Sequence, residues 1–266
     1  MSGVRIIIYS RSGALLADVQ NGELPSDEDA NFKGVLSILE PIASTEPTFL
    51  FSMRLGSFII DVSFDCGIYV FSIISAKLKS NLQSYNPFFS YTALLVFNNL
   101  ISDLPNRHIV PKEIIDKFRS LIPSDPLIQI SKILEELLID SINYIAFVAQ
   151  GHRVVLSLGE TKIAPDKFIF EWCAALEASG GISSSNDCVV VPDHQSIAVS
   201  QFYPCLKTIL FFADNATNDR MQLYLSEVAK AKVALQNLFK EKELKPQMPQ
   251  KPKEASGRRK INAGKK

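Results

Sequence analysis

The sequence predicts an α/β (α+β) chain made of two ββαβββα units, each a five-stranded antiparallel sheet flanked by helices. Three observations predict it. Short runs of β-branched and aromatic residues are punctuated by turn residues, as in strands. Longer stretches carry apolar residues at helical spacing. The order of elements also recurs. First strands open at Val4 and Tyr144, middle helices near 30 and 165, third strands at Thr48 and Cys188, and fifth strands at Ile68 and Leu206. The second set therefore trails the first by about 140 residues, the mark of an internal repeat. Element order repeats while residue identity does not.

Val4 to Ser10 reads as a strand, Arg11 to Gly13 as a turn, and Ala14 to Gln20 as the returning strand of a hairpin. Phe32, Val35, Leu36, Leu39 and Ala43 then fall on one face of a helix. Ser26 or Asp27 is expected to cap it, and Pro41 to kink or end it. Three strands follow over 48–54, 57–64 and 68–75, and their short turns make them an antiparallel meander. Asn86 is expected to cap the next helix, with Pro87 at its first position.

A connector comes next, with a short helix over 111–122 and a turn over 123–126. Leu127, Ile130, Ile133, Leu134, Leu137 and Leu138 mark another helix. The pattern then repeats. Strands are expected over 144–150, 153–158, 188–191, 196–202 and 206–213, with a helix over 165–179 between the second and third. Ile169, Trp172, Cys173 and Leu176 form that helix's core stripe. A long helix over 218–239 closes the unit, with Met221, Leu225, Val228, Leu235 and Phe239 inward. The expected organisation is a first unit at 1–107, a helical connector at 108–125, a second unit at 126–239 and a basic tail at 240–266.

Charge is balanced, with 28 Lys plus Arg against 28 Asp plus Glu, so nothing draws the whole chain toward nucleic acid or membrane. The balance hides an asymmetry. Residues 240–266 hold ten basic and three acidic side chains, a net of +7, which leaves −7 on the rest. The tail is poor in apolar residues and is expected to be a fraying helix end followed by disorder. Arg258, Arg259, Lys260, Lys265 and Lys266 are its electrostatic cluster, suited to weak contact with an anionic membrane, RNA or an acidic partner. No aromatic residue interleaves with them, so base stacking is not indicated.

The N-terminus has no signal-peptide pattern, and no uncharged apolar run reaches the roughly 20 residues of a membrane-spanning helix. Cytoplasmic placement is therefore expected, with peripheral membrane contact through the tail. Cys66, Cys173, Cys188 and Cys205 show no CxxC spacing and are expected to be buried thiols in a reducing compartment.

Motifs for chemistry are missing. Neither GxxxxGK[ST] nor GxGxxG occurs, and HExxH is absent. His108, His152 and His194 fall in expected loops. Cys188, His194 and Cys205 have spacings that fit no familiar zinc pattern. Glu135, Glu136, Glu171 and Glu177 lie on helix surfaces, and Asp65 in a turn. No catalytic residue, cofactor or metal is predicted.

The run KILEELLIDSINYIAFVAQGHRVVLSLG, in which a Leu- and Glu-rich helix leads directly into a hairpin, resembles the opening of a roadblock domain. The turn departs from the usual Asp-Gly type, being Gln150-Gly151-His152, and Asp140-Ser141 replaces the Gly-rich lead-in. The first unit starts on its strand at Val4 and carries a helix after its fifth strand, as longin domains do. The tandem thus resembles the roadblock/longin superfamily, longin-like first and roadblock-like second. The resemblance implies domains that pair and serve as platforms for Ras-like small GTPases and vesicle-trafficking complexes, with no nucleotide pocket of their own. It further implies an adaptor or regulatory subunit rather than an enzyme.

A second apolar row supports pairing. Gly34, Ile38 and Ile42 lie at i, i+4 and i+8 on the first middle helix, and Phe170, Ala174 and Ala178 on the second. Small residues there permit close helix approach. These six are the candidate residues for domain pairing, in a pseudo-twofold, helix to helix, or for partner binding. Two other readings stay open. A pair of PAS- or GAF-like sensor domains needs a cavity with polar lining, whereas the predicted core is nearly all aliphatic and aromatic. A profilin-like actin binder would share a sheet flanked by helices, and the doubling of the fold speaks against it.

Overall fold

The computed structural model of the protein describes residues 3–24, 32–107, 109–138, 142–149, 153–160, 188–190, 197–203, 206–212 and 217–240. Strands β1 (Val4–Ser10), β2 (Leu15–Asn21), β3 (Thr48–Leu55), β4 (Phe58–Asp65) and β5 (Ile68–Ser75) form one sheet in the order β2-β1-β5-β4-β3. Strands β6 (Ile142–Ala149), β7 (Arg153–Gly159), β8 (Cys188–Val190), β9 (Ile197–Tyr203) and β10 (Leu206–Phe212) form a second in the order β7-β6-β10-β9-β8. The two orders are the same, and every pairing is antiparallel. The predicted meander is tight. Asp65 pairs with Ile68 across a two-residue turn in which Cys66 (φ 52°) and Gly67 (φ 78°) both adopt positive φ, the conformation that matches strand twist. Cys66 is exposed there, so the expectation of a buried thiol fails at this position.

Helix α1 (Phe32–Thr45) covers one face of the first sheet. Val35, Leu39 and Ala43 pack on Ile7, Tyr9, Phe64 and Phe71. Pro41 does not end the helix, which runs one turn further to Thr45. Proline removes only its own N–H, and the carbonyl deprived of it belongs to exposed Ser37, which water can reach. The hydroxyls of Ser44 and Thr45 bond back to Glu40 O (2.9 Å) and Ile42 O (3.0 Å).

The other face of the first sheet meets α3 (Asn86–Leu100), after a four-residue helix α2 (Ser80–Gln83) that the sequence pattern does not announce. Helix α3 is apolar nearly all round, with Phe88, Phe89, Ala93, Leu94 and Phe97 all fully buried. A helix of that kind belongs between layers. On one side it lies on β4 and β5, and on the other it reaches β7. Phe88 meets Phe147 of β6 edge-on at 5.1 Å and Phe202 of β9 at 6.3 Å, and those two rings meet each other at 5.0 Å. One continuous apolar core therefore joins Ile6, Ile8 and Val70 to Ile145, Phe147 and Phe202.

The connector contributes to this core. Helix α4 (Lys112–Leu121) lies against α3 and β2, and its Phe118 is 0% exposed and edge-on to Phe97 at 5.2 Å. Helix α4 follows the first unit in the chain and packs back on its second strand. Helix α5 (Pro126–Glu135) leads into the second sheet and packs on the final helix α6 (Asn218–Leu238), which lies on β9. Tyr224, Leu225, Val228, Ala231, Leu235 and Phe239 give α6 one buried stripe. Thr217 caps it, accepting from Arg220 N at 3.4 Å.

Polar ties across the seam are few among the described residues. Asn21 Nδ2 donates to Pro123 O at 2.9 Å, Tyr85 OH to Glu135 Oε1 at 3.0 Å, and Arg153 pairs with Glu46. Both members of that ion pair are 39% exposed, and such pairs contribute about 0.2–1 kcal/mol. Glu46→Ala or Arg153→Ala is accordingly expected to lower stability in urea titrations by less than about 1 kcal/mol, with the loss shrinking as salt rises.

Candidate functional site

The outer face of α1 is the described surface that best suits a partner. It lies on the side of the first sheet away from the seam, because α3 and α4 occupy the opposite face. From 34 to 45 the helix carries a single ionisable side chain, Glu40. Ile38 stands 59% exposed at the centre, while Gly34 and Ile42 flank it half-buried. The predicted row is thus split by depth. Ile42 packs partly on the sheet and Ile38 faces solvent. Depletion of charge around an exposed aliphatic anchor matches the composition of interface centres. Arg11 borders the patch, with Nη2 3.5 Å from Ser44 Oγ. Beneath it, burial pushes the Tyr69 phenol above its ordinary range, and no partner for its hydroxyl is seen.

Phe170, Ala174 and Ala178, the second half of the predicted pairing row, lie outside the described residues, as does the whole helix over 165–179. Arg258, Arg259, Lys260, Lys265 and Lys266 do too, along with His108, His152, His194, Cys173, Cys205 and the expected cap at Ser26 or Asp27. The described contacts between the two sheets run through α3, α5, β3 and β7 rather than through α1. No three His, Cys, Asp or Glu side chains cluster to hold a metal among the described residues.

A buried polar network between the first sheet and α3 escaped the sequence reading. Asp61, only 3% exposed, accepts from Ser52 Oγ and from Asn86 Nδ2. Asn86 Nδ2 also reaches Ser72 O at 3.1 Å, and Ser72 Oγ donates to Asn86 Oδ1 at 2.6 Å. Ser63 Oγ donates to Ser90 Oγ at 2.9 Å, and Ser90 Oγ lies 3.1 Å from both Asp61 O and Val70 O. Asn86 is therefore no helix cap. It is already helical, follows Tyr85 at the N-cap position and turns inward. Burial raises the Asp61 carboxyl above its ordinary range, partly offset by the hydrogen bonds from Ser52 and Asn86. The network ties α3 to β4 and β5. Its signal was legible. Asp61 and Ser63 alternate along β4, and Asn86 and Ser90 are four apart on α3, so two short polar stripes face each other.

The chain matches no protein-family profile and no curated protein. Among solved structures it is similar to the gliding protein MglB of Thermus thermophilus, at 16% identity and TM-score 0.34, over 42% of this chain and 88% of that one. It is also similar to MglB of Myxococcus xanthus, at 14% identity and TM-score 0.35, over 42% and 92%. A roadblock/LC7 domain from Streptomyces avermitilis gives 12% identity and TM-score 0.29, over 41% and 92%. The first sheet has the strand order β2-β1-β5-β4-β3, with α1 and α3 on opposite faces.

Proposed function

We propose that this chain is a non-enzymatic regulatory platform that binds a small Ras-like GTPase, with the outer face of α1 as its contact surface. The observation that carries the reading is the charge-poor, Ile38-centred patch on the side of the first sheet that the seam leaves open. The roadblock/longin resemblance supplies the class of partner. Its bearing is analogy, since one fold hosts many functions. In the same reading the partner belongs to a vesicle-trafficking assembly in the cytoplasm, and the tail adds weak contact with an anionic membrane.

The patch is tested by Ile38→Asp in the full chain. Ile38 is exposed, so the substitution leaves the melting temperature close to wild type, within the ±0.5 kcal/mol usual for surface changes. Capture of the GTPase is expected to fall at least about tenfold, the effect of losing a buried anchor. Undiminished capture by Ile38→Asp would remove α1 from the interface.

A further inference from the structure

The β1–β2 hairpin brings two exposed side chains, Arg11 and Leu15, to the side of the first sheet where Ile38 stands. Leu15 pairs directly with Tyr9 across the hairpin, and residues opposite each other in an antiparallel pair project to the same face. Tyr9 packs in the core beneath α1, so Leu15 faces the α1 side. It is 55% exposed there, close to the 59% of Ile38. Arg11, at the hairpin's tip, bears on the end of α1, with Nη2 3.5 Å from Ser44 Oγ. Ser44 lies six residues beyond Ile38, about 9 Å along the helix axis. Arg11 and Ile38 therefore fit within one contact area of about 800 Å², and Leu15 closes the same turn as Arg11.

The tip is firmly held. Ser10, which is fully buried, closes the turn. Its N–H donates to Ala14 O at 2.9 Å, its carbonyl accepts from Gly13 N at 2.9 Å, and its Oγ accepts from Ala14 N at 3.1 Å. Arg11 N donates to Gly67 O at 2.8 Å, which ties the tip to the neighbouring turn. Backbone that is already ordered loses little entropy when its side chains are engaged. No carboxylate lies within ion-pair distance of the Arg11 guanidinium among the described residues, whereas Arg5, Arg119 and Arg153 each have one. The planar fork of donors on Arg11 matches a carboxylate, and arginine is enriched in protein contacts.

We propose that Arg11 and Leu15 extend the α1 contact onto the β1–β2 hairpin, and that the bound GTPase presents a carboxylate to Arg11 beside an apolar pocket for Leu15. This contact rests on the platform reading and specifies the chemistry of the partner's surface. Ile38 and Leu15 supply apolar burial, while Arg11 supplies an ionic contact that governs on-rate and salt dependence.

Capture of a Ras-like GTPase by the full chain, at low and high salt, tests this with Arg11→Glu, Leu15→Ser and Ile38→Asp. Arg11 and Leu15 are exposed, so both hairpin variants are expected to unfold like the wild type. Arg11→Glu should lower capture about tenfold at low salt, with the gap narrowing as salt rises. Leu15→Ser should lower it about fivefold at either salt. If Ile38→Asp weakens capture and either hairpin variant does not, the proposal is overturned while the α1 reading stands. If the full chain captures no GTPase, the platform reading fails and the hairpin contact with it. An Arg11→Glu loss of equal size at both salts would overturn the carboxylate pairing. Self-association of the full chain in sedimentation, abolished by Leu15→Ser, would give this surface to a second copy and overturn the proposal too.

Discussion

Phe88→Ala is expected to cost about 3–5 kcal/mol, the range for truncating a fully buried aromatic side chain. Phe88 is 0% exposed and stands where α3 touches rings from two strands of the second sheet. Alanine leaves a cavity bordered by Phe147 and Phe202 and removes two ring contacts, each contributing about 0.5–1.5 kcal/mol beyond area burial. Against a total stability of about 5–15 kcal/mol, that is a fifth or more. The melting temperature should fall by roughly 6–20 °C. Both sheets should lose stability together, because Phe88 belongs to the first unit and its neighbours to the second. Thermal and urea unfolding, followed with local exchange probes in each sheet, checks this. A loss below about 1 kcal/mol, or one confined to the first sheet, would mean that α3 does not bind the units into one core.

The second large effect concerns Asp61. A carboxyl whose folded-state pKa lies above its ordinary value of 3.8 is more readily protonated in the fold than in the open chain. Folding therefore takes up a proton in that window. The stabilising contribution grows as pH falls through the raised value, is complete below 3.8, and is lost as pH rises. Asp61→Asn abolishes this dependence while keeping a carbonyl to accept from Asn86 Nδ2 and an amide to donate to Ser52 Oγ. The stability difference between wild type and Asp61→Asn should thus shift in favour of wild type on acidification from neutral pH. A difference that stays flat would contradict a raised pKa. Asn86→Ala is the disruptive counterpart. It strips donors from Asp61 and Ser72 in the interior, at about 1–3 kcal/mol for each group left unpaired and more for a charge.

Much of the fold was legible because hydrophobic period and turn chemistry agree locally. The β3–β4–β5 meander followed from alternation and tight turns, and α6 from one apolar stripe. What periodicity did not carry was tertiary assignment. Helix α4 reads as a connector, yet Phe118 makes it a wall of the first unit's core. Asn86 reads as a cap because Asn before Pro commonly is one, but its amide matches Asp61 and Ser72 across the layer. No local pattern marks Asp61, because its partners lie 9 and 25 residues away in sequence. The row Gly34, Ile38 and Ile42 was visible as a second apolar face, whereas the split between half-buried Ile42 and exposed Ile38 depends on how α1 tilts on the sheet.

The most direct test of the platform reading is capture of Ras-like GTPases by the full chain, with each GTPase held in GDP-bound, GTP-analogue-bound and nucleotide-free form and nucleotide turnover followed in the same sample. The account predicts capture that depends on nucleotide state, with no turnover by the chain alone. Capture of no GTPase in any state by the folded protein, or hydrolysis without a GTPase present, would contradict it.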